Sequence, residues 1–113
     1  MLTGFYKDKE IKKIYEWIGL SNGINIKEFY FDSGQLIFVY ERFDSFIFDD
    51  RKKEFDFTKT KTIFEGRYYF KDNNLFKRYT KGHKSLVAQD ESTEKSLVAR
   101  ASENVGMLNK NVQ

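Results

Sequence analysis

The sequence predicts a mainly β fold of the α+β class: an antiparallel β-meander of about six strands, built from three similar hairpins, with a C-terminal α-helix packed on the sheet. Three observations carry this. A stretch of aromatic and turn residues recurs three times. Aromatic residues make up 18% of the chain and all of them precede residue 80. Past residue 83 the pattern switches from alternation to helical spacing.

The repeat reads FYKDKEIKKIY from Phe5, YFDSGQLIFVY from Tyr30 and YFKDNNLFKRY from Tyr69. Each copy has two aromatic residues, a charged residue, a turn pair, a polar residue, Ile or Leu, three variable residues and Tyr. The starts are irregularly spaced, so the unit is a repeated hairpin and not a solenoid of fixed period. Asp8-Lys9, Ser33-Gly34 and Asp72-Asn73 sit where a two-residue loop reverses the chain, and Gly, Asn and Asp tolerate the positive φ of such loops. Ser21-Asn22-Gly23 and the segment from Asp49 to Lys53 supply the other reversals. Strands are expected over 2–7, 11–18, 24–32, 35–48, 54–71 and 75–81. Residues 8–18 also carry apolar residues at helical spacing, and the repeat decides for strand. The two longest strands are expected to bend or bulge, at Ser45 or at Gly66.

Pairing residues outward from each turn places Tyr6, Ile11, Tyr15, Phe29, Phe31, Leu36, Phe38, Tyr40, Phe64, Tyr68, Phe70, Leu75 and Tyr79 on one face, as the expected core. The opposite face is mixed. It receives Phe5, Ile14, Tyr30, Ile37, Val39, Tyr69 and Phe76 among Lys7, Glu28, Asp32, Glu41, Glu65, Arg67 and Arg78. So apolar a face is seldom left fully in water. Residues 84–113 hold no aromatic residue, and Leu97, Ala101, Val105 and Leu108 mark one side of a helix capped by Asp90 or Ser92. The sequence therefore divides into a meander over 1–83 and a helix with a frayed tail over 84–113, within one domain. The helix is expected to pack on the sheet, on its mixed face.

Composition excludes several functions. The chain has no Cys, hence no disulfide, thiol chemistry or Cys-based zinc site. His83 is the single histidine and no nucleophile motif accompanies it. Carboxylates are plentiful, but Asp49-Asp50 reads as a turn, and DDRKKE lacks the alternating acidic positions and distal Glu of a calcium loop. With no Gly-rich phosphate loop either, no catalytic residue, metal or cofactor is expected. The net charge of +3 lies wholly in residues 1–83, where sixteen basic residues face thirteen acidic ones. Lysines there read as solvated strand faces that discourage edge pairing, not as a basic stripe. No apolar run reaches the roughly 20 residues of a membrane span. The abrupt entry of MLTGFYKDKE into a strand fits a chain whose leader has been removed, although it has no apolar h-region of its own.

The hairpins YYFKDNNL and FYFDSGQL resemble those of MORN-type and tyrosine-aspartate repeat proteins, without their regular period or closing Gly. Over residues 2–81 the chain is similar to small hairpin-repeat proteins of the bacterial envelope, often made as lipoproteins or secreted precursors. The resemblance implies a periplasmic or envelope location, with the cytoplasm as the alternative, and transfers no site residues. Three functions stay open. The first is a noncatalytic binding or structural module that meets a protein, peptide or glycan through Phe5, Tyr30, Arg67, Tyr69 and Arg78, since Tyr and Arg are efficient anchors. The second is a small-ligand binder with a pocket between sheet and helix. The third, disfavoured by the charge pattern, is a single-stranded nucleic-acid binder.

Overall fold

Three turns set the architecture. Asp8 and Lys9, Ser33 and Gly34, and Asp72 and Asn73 all have φ between 50° and 78°. Two consecutive positive φ values define the type I′ turn, whose twist matches that of the strands it joins. The computed structural model describes residues 1–82 and 92–112. It contains β1 (Leu2–Lys7), β2 (Glu10–Leu20), β3 (Gly23–Asp32), β4 (Gln35–Asp49), β5 (Glu54–Lys71), β6 (Asn74–Gly82) and α1 (Ser92–Val112). The strands form one open antiparallel sheet in sequence order. Residues 10–20 are strand, as the repeat requires. His83 and the expected cap Asp90 lie outside the described residues.

Each hairpin contains the same irregularity, one that turn chemistry alone did not reveal. Phe31 pairs with Leu36, but the next pair is Tyr30 with Phe38, so Ile37 is an extra residue. Lys12 is extra in the same place in the first hairpin, and Phe76 in the third. A bulge advances the strand by one residue, and one residue is half the side-chain period, so everything beyond it changes face. Ile14 and Val39 thereby join Phe29, Phe31, Leu36, Tyr68 and Phe70 in the buried cluster beneath α1. Ile11 and Leu75 pack at its margin. Phe38, Tyr15, Tyr40 and Tyr79, expected in the core, move to the opposite face, and Tyr6 is 45% exposed.

Two more bulges lie between β4 and β5, at Phe43/Asp44 and at Phe46/Ile47, on either side of Ser45. Gly66 is not one of them. It pairs regularly with Glu41, and a Cβ there would stand 2.6 Å from the Tyr68 hydroxyl. The glycine lets the Tyr68 ring fold back toward Glu41. Gly23 is needed for a different reason: its Cβ would come 2.3 Å from the Asp44 carbonyl oxygen.

Helix α1 packs on the buried face and not on the mixed one. Leu97 and Ala101 are buried there, with Val98, Val105 and Leu108 beside them. Its first turn is tied to β6, where Leu75 N donates to Glu94 Oε2 at 2.9 Å. Toward its end Leu108 reaches Gly4. Between these lies a buried polar row. Glu16, Lys27 and Glu41 are cross-strand neighbours under the helix. Arg100 Nε and Asn104 Nδ2 donate to Glu16 Oε2 at 2.8 and 2.7 Å, and Asn25 Nδ2 donates to Glu41 Oε2 at 3.2 Å. Lys27 Nζ stands 3.9 Å from Glu16 Oε1 and 3.6 Å from Glu41 Oε2. Burial, then the Glu41 charge, pushes the Tyr68 hydroxyl up to about 12.

Candidate functional site

The helix lies on one side of the sheet, and no described element covers the other. Because the three bulges coincide, the first and last aromatic residues of every repeat arrive on this open face in two rows. The first row runs Phe5, Lys13, Tyr30, Phe38, Tyr69, Lys77, one residue from each strand. The second runs Thr3, Tyr15, Glu28, Tyr40, Arg67, Tyr79. The tyrosines that close the three repeats are therefore surface residues in register with one another.

Ring contacts hold the first row. Tyr30 and Phe38 have centroids 5.5 Å apart, Phe38 and Tyr69 4.9 Å, and Tyr69 lies 6.4 Å from both Phe76 and Tyr79. Lys13 Nζ sits between the rings of Phe5 and Tyr30, at 5.5 and 5.2 Å. Tilted and edge-on pairs at such distances are the favourable arrangements of aromatic rings. Phe5, Phe76 and Tyr79 are 48%, 64% and 53% exposed, so the rows end in open rings at both edges of the sheet.

The charges of this face are mostly matched within it. Lys13 Nζ meets Glu28 Oε1 at 2.7 Å, and the Tyr30 hydroxyl donates to the same oxygen at 2.9 Å. Arg42 pairs with Asp44 at 3.0 Å. Arg67 lies over the Tyr40 ring at 5.1 Å and 3.6 Å from Glu65, to which the Tyr40 hydroxyl donates. Burial opposes ionisation of Glu28, but the hydrogen bonds from Lys13 and Tyr30 outweigh it and hold the carboxyl below its ordinary 4.5. A depressed folded value means that this contribution to stability is present above about pH 4.5 and is lost as pH falls through the folded value. The melting temperature of Glu28→Gln should accordingly fall less than that of the native chain between pH 5 and pH 3. Equal acid limbs in thermal melts would refute the role of Glu28.

Of the five residues expected to form a binding surface, four come together. Phe5, Tyr30 and Tyr69 stand in the first row and Arg67 in the second. Arg78 does not join them, because the Phe76 bulge pairs it with Tyr68 and turns it to the helix side. Lys13, Phe38, Tyr40 and Tyr79 belong to the face and escaped sequence reasoning, whereas Glu28 was placed on it by alternation. Their signal was the shared closing tyrosine of the repeats, legible only once the bulge is known. Hollows beside the helix also exist. One is lined by Phe31, Leu36, Val98 and Val105, another by Lys27, Leu97, Arg100 and Glu103; both open at the flanks of α1. No protein-family model, curated protein or solved structure matches the chain.

Proposed function

We propose that the chain is a noncatalytic binding module whose helix-free sheet face takes a protein surface or an extended peptide. The observation that carries this is the coincidence of the three bulges, which sends the aromatic ends of every repeat to the face that α1 leaves bare. An apolar row of this width is costly to leave in water, and Tyr and Arg are the side chains that anchor protein interfaces. The rings are held by their neighbours before a partner arrives, so little side-chain entropy is lost on binding. The internal ion pairs favour a protein over a nucleic acid, since a phosphate would have to compete with Glu28, Asp44 and Glu65 for the cations beside them. In the envelope location implied by the hairpin resemblance, such a face would serve assembly or capture instead of chemistry.

Selection of displayed random peptides on the folded chain tests this. Binding of the recovered peptides should weaken at least about tenfold in a Phe5→Ser/Tyr79→Ser double variant. It should be unaffected by Ser102→Asp, an exposed position at the flank of α1 on the helix side of the sheet. Peptides indifferent to the double variant would overturn the reading. Oligonucleotide binding that falls steeply with salt would replace it by the nucleic-acid alternative.

A further inference from the structure

Strands β1 and β6 are the outer strands of the sheet, and the two edges are unlike. On β1, Leu2, Thr3 and Gly4 are half-buried, Leu108 stands over Gly4, and the one charged residue is Lys7. On β6 every residue but Leu75 is exposed. The strand carries Lys77, Arg78 and Lys81 and no acid, and none of these cations has an ion pair among the described residues. An open edge presents backbone N–H and C=O groups that the ladder does not use. One of them already holds a carboxylate, since Leu75 N donates to Glu94 Oε2. Past the Phe76 bulge β6 pairs regularly from Lys77 to Gly82, opposite Tyr69 to Phe64, after which β4 and β5 run on without it. Alternation puts Lys77, Tyr79 and Lys81 on the helix-free face, and Arg78 and Thr80 on the other. Tyr79 is 53% exposed, with Lys77 Nζ over its ring at 5.1 Å. The carboxylate opposite Lys81, that of Glu65, is occupied by the Tyr40 hydroxyl and Arg67.

We propose that the β6 edge takes an acidic extended peptide as an added strand, with an acid, an apolar residue and an acid at successive alternate positions on the helix-free face. The inference rests on the reading of this face as a peptide-binding surface, and it names the peptide. Charge and backbone chemistry together select this occupant. A strand laid along the edge sets one side chain directly opposite each of Lys77, Tyr79 and Lys81, close enough for opposite charges to attract and like charges to repel. The two lysines stand about 13 Å apart along the strand, the span of four residues in the added one. Lysines on an edge keep like edges apart. Pairing with a second β6 about Tyr79 would set Lys77 against Lys81, so another copy of this chain is the wrong partner. A nucleic acid would answer the cations but not the ladder, because its phosphates accept hydrogen bonds and offer no donor to the β6 carbonyls. A peptide strand supplies both donors and acceptors.

NMR titration of the isotope-labelled full chain with the peptide Thr-Glu-Thr-Val-Thr-Glu-Thr tests this. Amide shifts should concentrate at Lys77 to Gly82 and leave β1 unmoved. Lys77→Glu/Lys81→Glu, its fold checked by a dispersed spectrum, should bind at least about tenfold more weakly. The same variant should gain binding to Thr-Lys-Thr-Val-Thr-Lys-Thr, which the natural chain should ignore. Of two peptides N-methylated at one or the other alternate set of amides, only one should lose binding, because only one set faces the ladder. A natural chain without shifts on β6, a double variant that keeps its preference for the acidic peptide, or undiminished binding of both methylated peptides overturns the inference. Equal β6 shifts from a thymidine oligonucleotide would give the edge to nucleic acid instead. If displayed peptides bind the aromatic rows while the acidic peptide leaves β6 untouched, the inference fails and the broader reading stands; if no peptide binds either, both fail.

Discussion

Phe29→Ala is expected to destabilise the fold by about 3–5 kcal/mol, a large part of the total stability of a small domain. Phe29 has no exposed surface and belongs to the cluster beneath α1. It is flanked across the strands by Ile14 and Val39, which are also fully buried. Two close-packed neighbours on rigid strands cannot collapse into the space that a lost ring leaves, so a cavity term adds to the lost transfer energy. Phe31→Ala should behave similarly. Tyr69→Ala, on the open face, should cost much less, because its ring is only partly buried and water can fill the place. Urea unfolding of the three variants decides. Equal, large losses for Phe29 and Tyr69 would mean that both faces of the sheet are core.

Glu16→Ala is the second large effect, with an expected loss of about 3 kcal/mol. Glu16 is 2% exposed and accepts from Arg100 and Asn104 through one oxygen while the other faces Lys27. Removing it leaves the fully buried Asn104 amide without its acceptor, and leaves Lys27 beside a single carboxylate. Breaking one side of a buried polar set costs more than the set contributes as a whole, because the remaining groups keep their desolvation penalty. Arg100 can turn to water, which places the expectation at the low end of the range for buried pairs. The loss should be directional. Amide exchange should accelerate in α1 more than in β3 and β4, since Glu16 ties the helix to the sheet through two of its side chains. Glu16→Gln, which retains an acceptor, should recover much of the difference. A loss below about 1 kcal/mol, or uniform acceleration, would show that apolar packing alone seats the helix.

These two residues differ in how readable they were. Phe29 was placed in the core by simple alternation, and the structure agrees. Glu16 carried no signal, because its role depends on Arg100 and Asn104, more than eighty residues away and on a helix whose seat was expected on the wrong face. Glu41 was read as one charge among several on a mixed surface, yet it is buried beside Asn25 and Lys27.

The binding surface shows the same division. Phe5, Tyr30 and Tyr69 open their repeats ahead of the bulge, and their face was read correctly. Arg67 was too, because β5 carries no extra residue between it and the Asp72-Asn73 turn. Arg78, Tyr15, Tyr40 and Tyr79 follow a bulge, and each was assigned to the wrong side.

What the sequence by itself determined is the set of local choices: three two-residue turns, six strands in meander order, a C-terminal helix, and an aromatic core. These depend on φ preferences, alternation and spacing within about ten residues. What only the tertiary structure decided is which face each strand presents after its bulge, which side the helix covers, and where β4 and β5 outrun their neighbours. An extra residue in a ladder is permitted when the neighbouring strand and the helix reward the new register, and that reward comes from contacts between distant residues. A period of two makes the consequence absolute, since a single added residue exchanges core for surface.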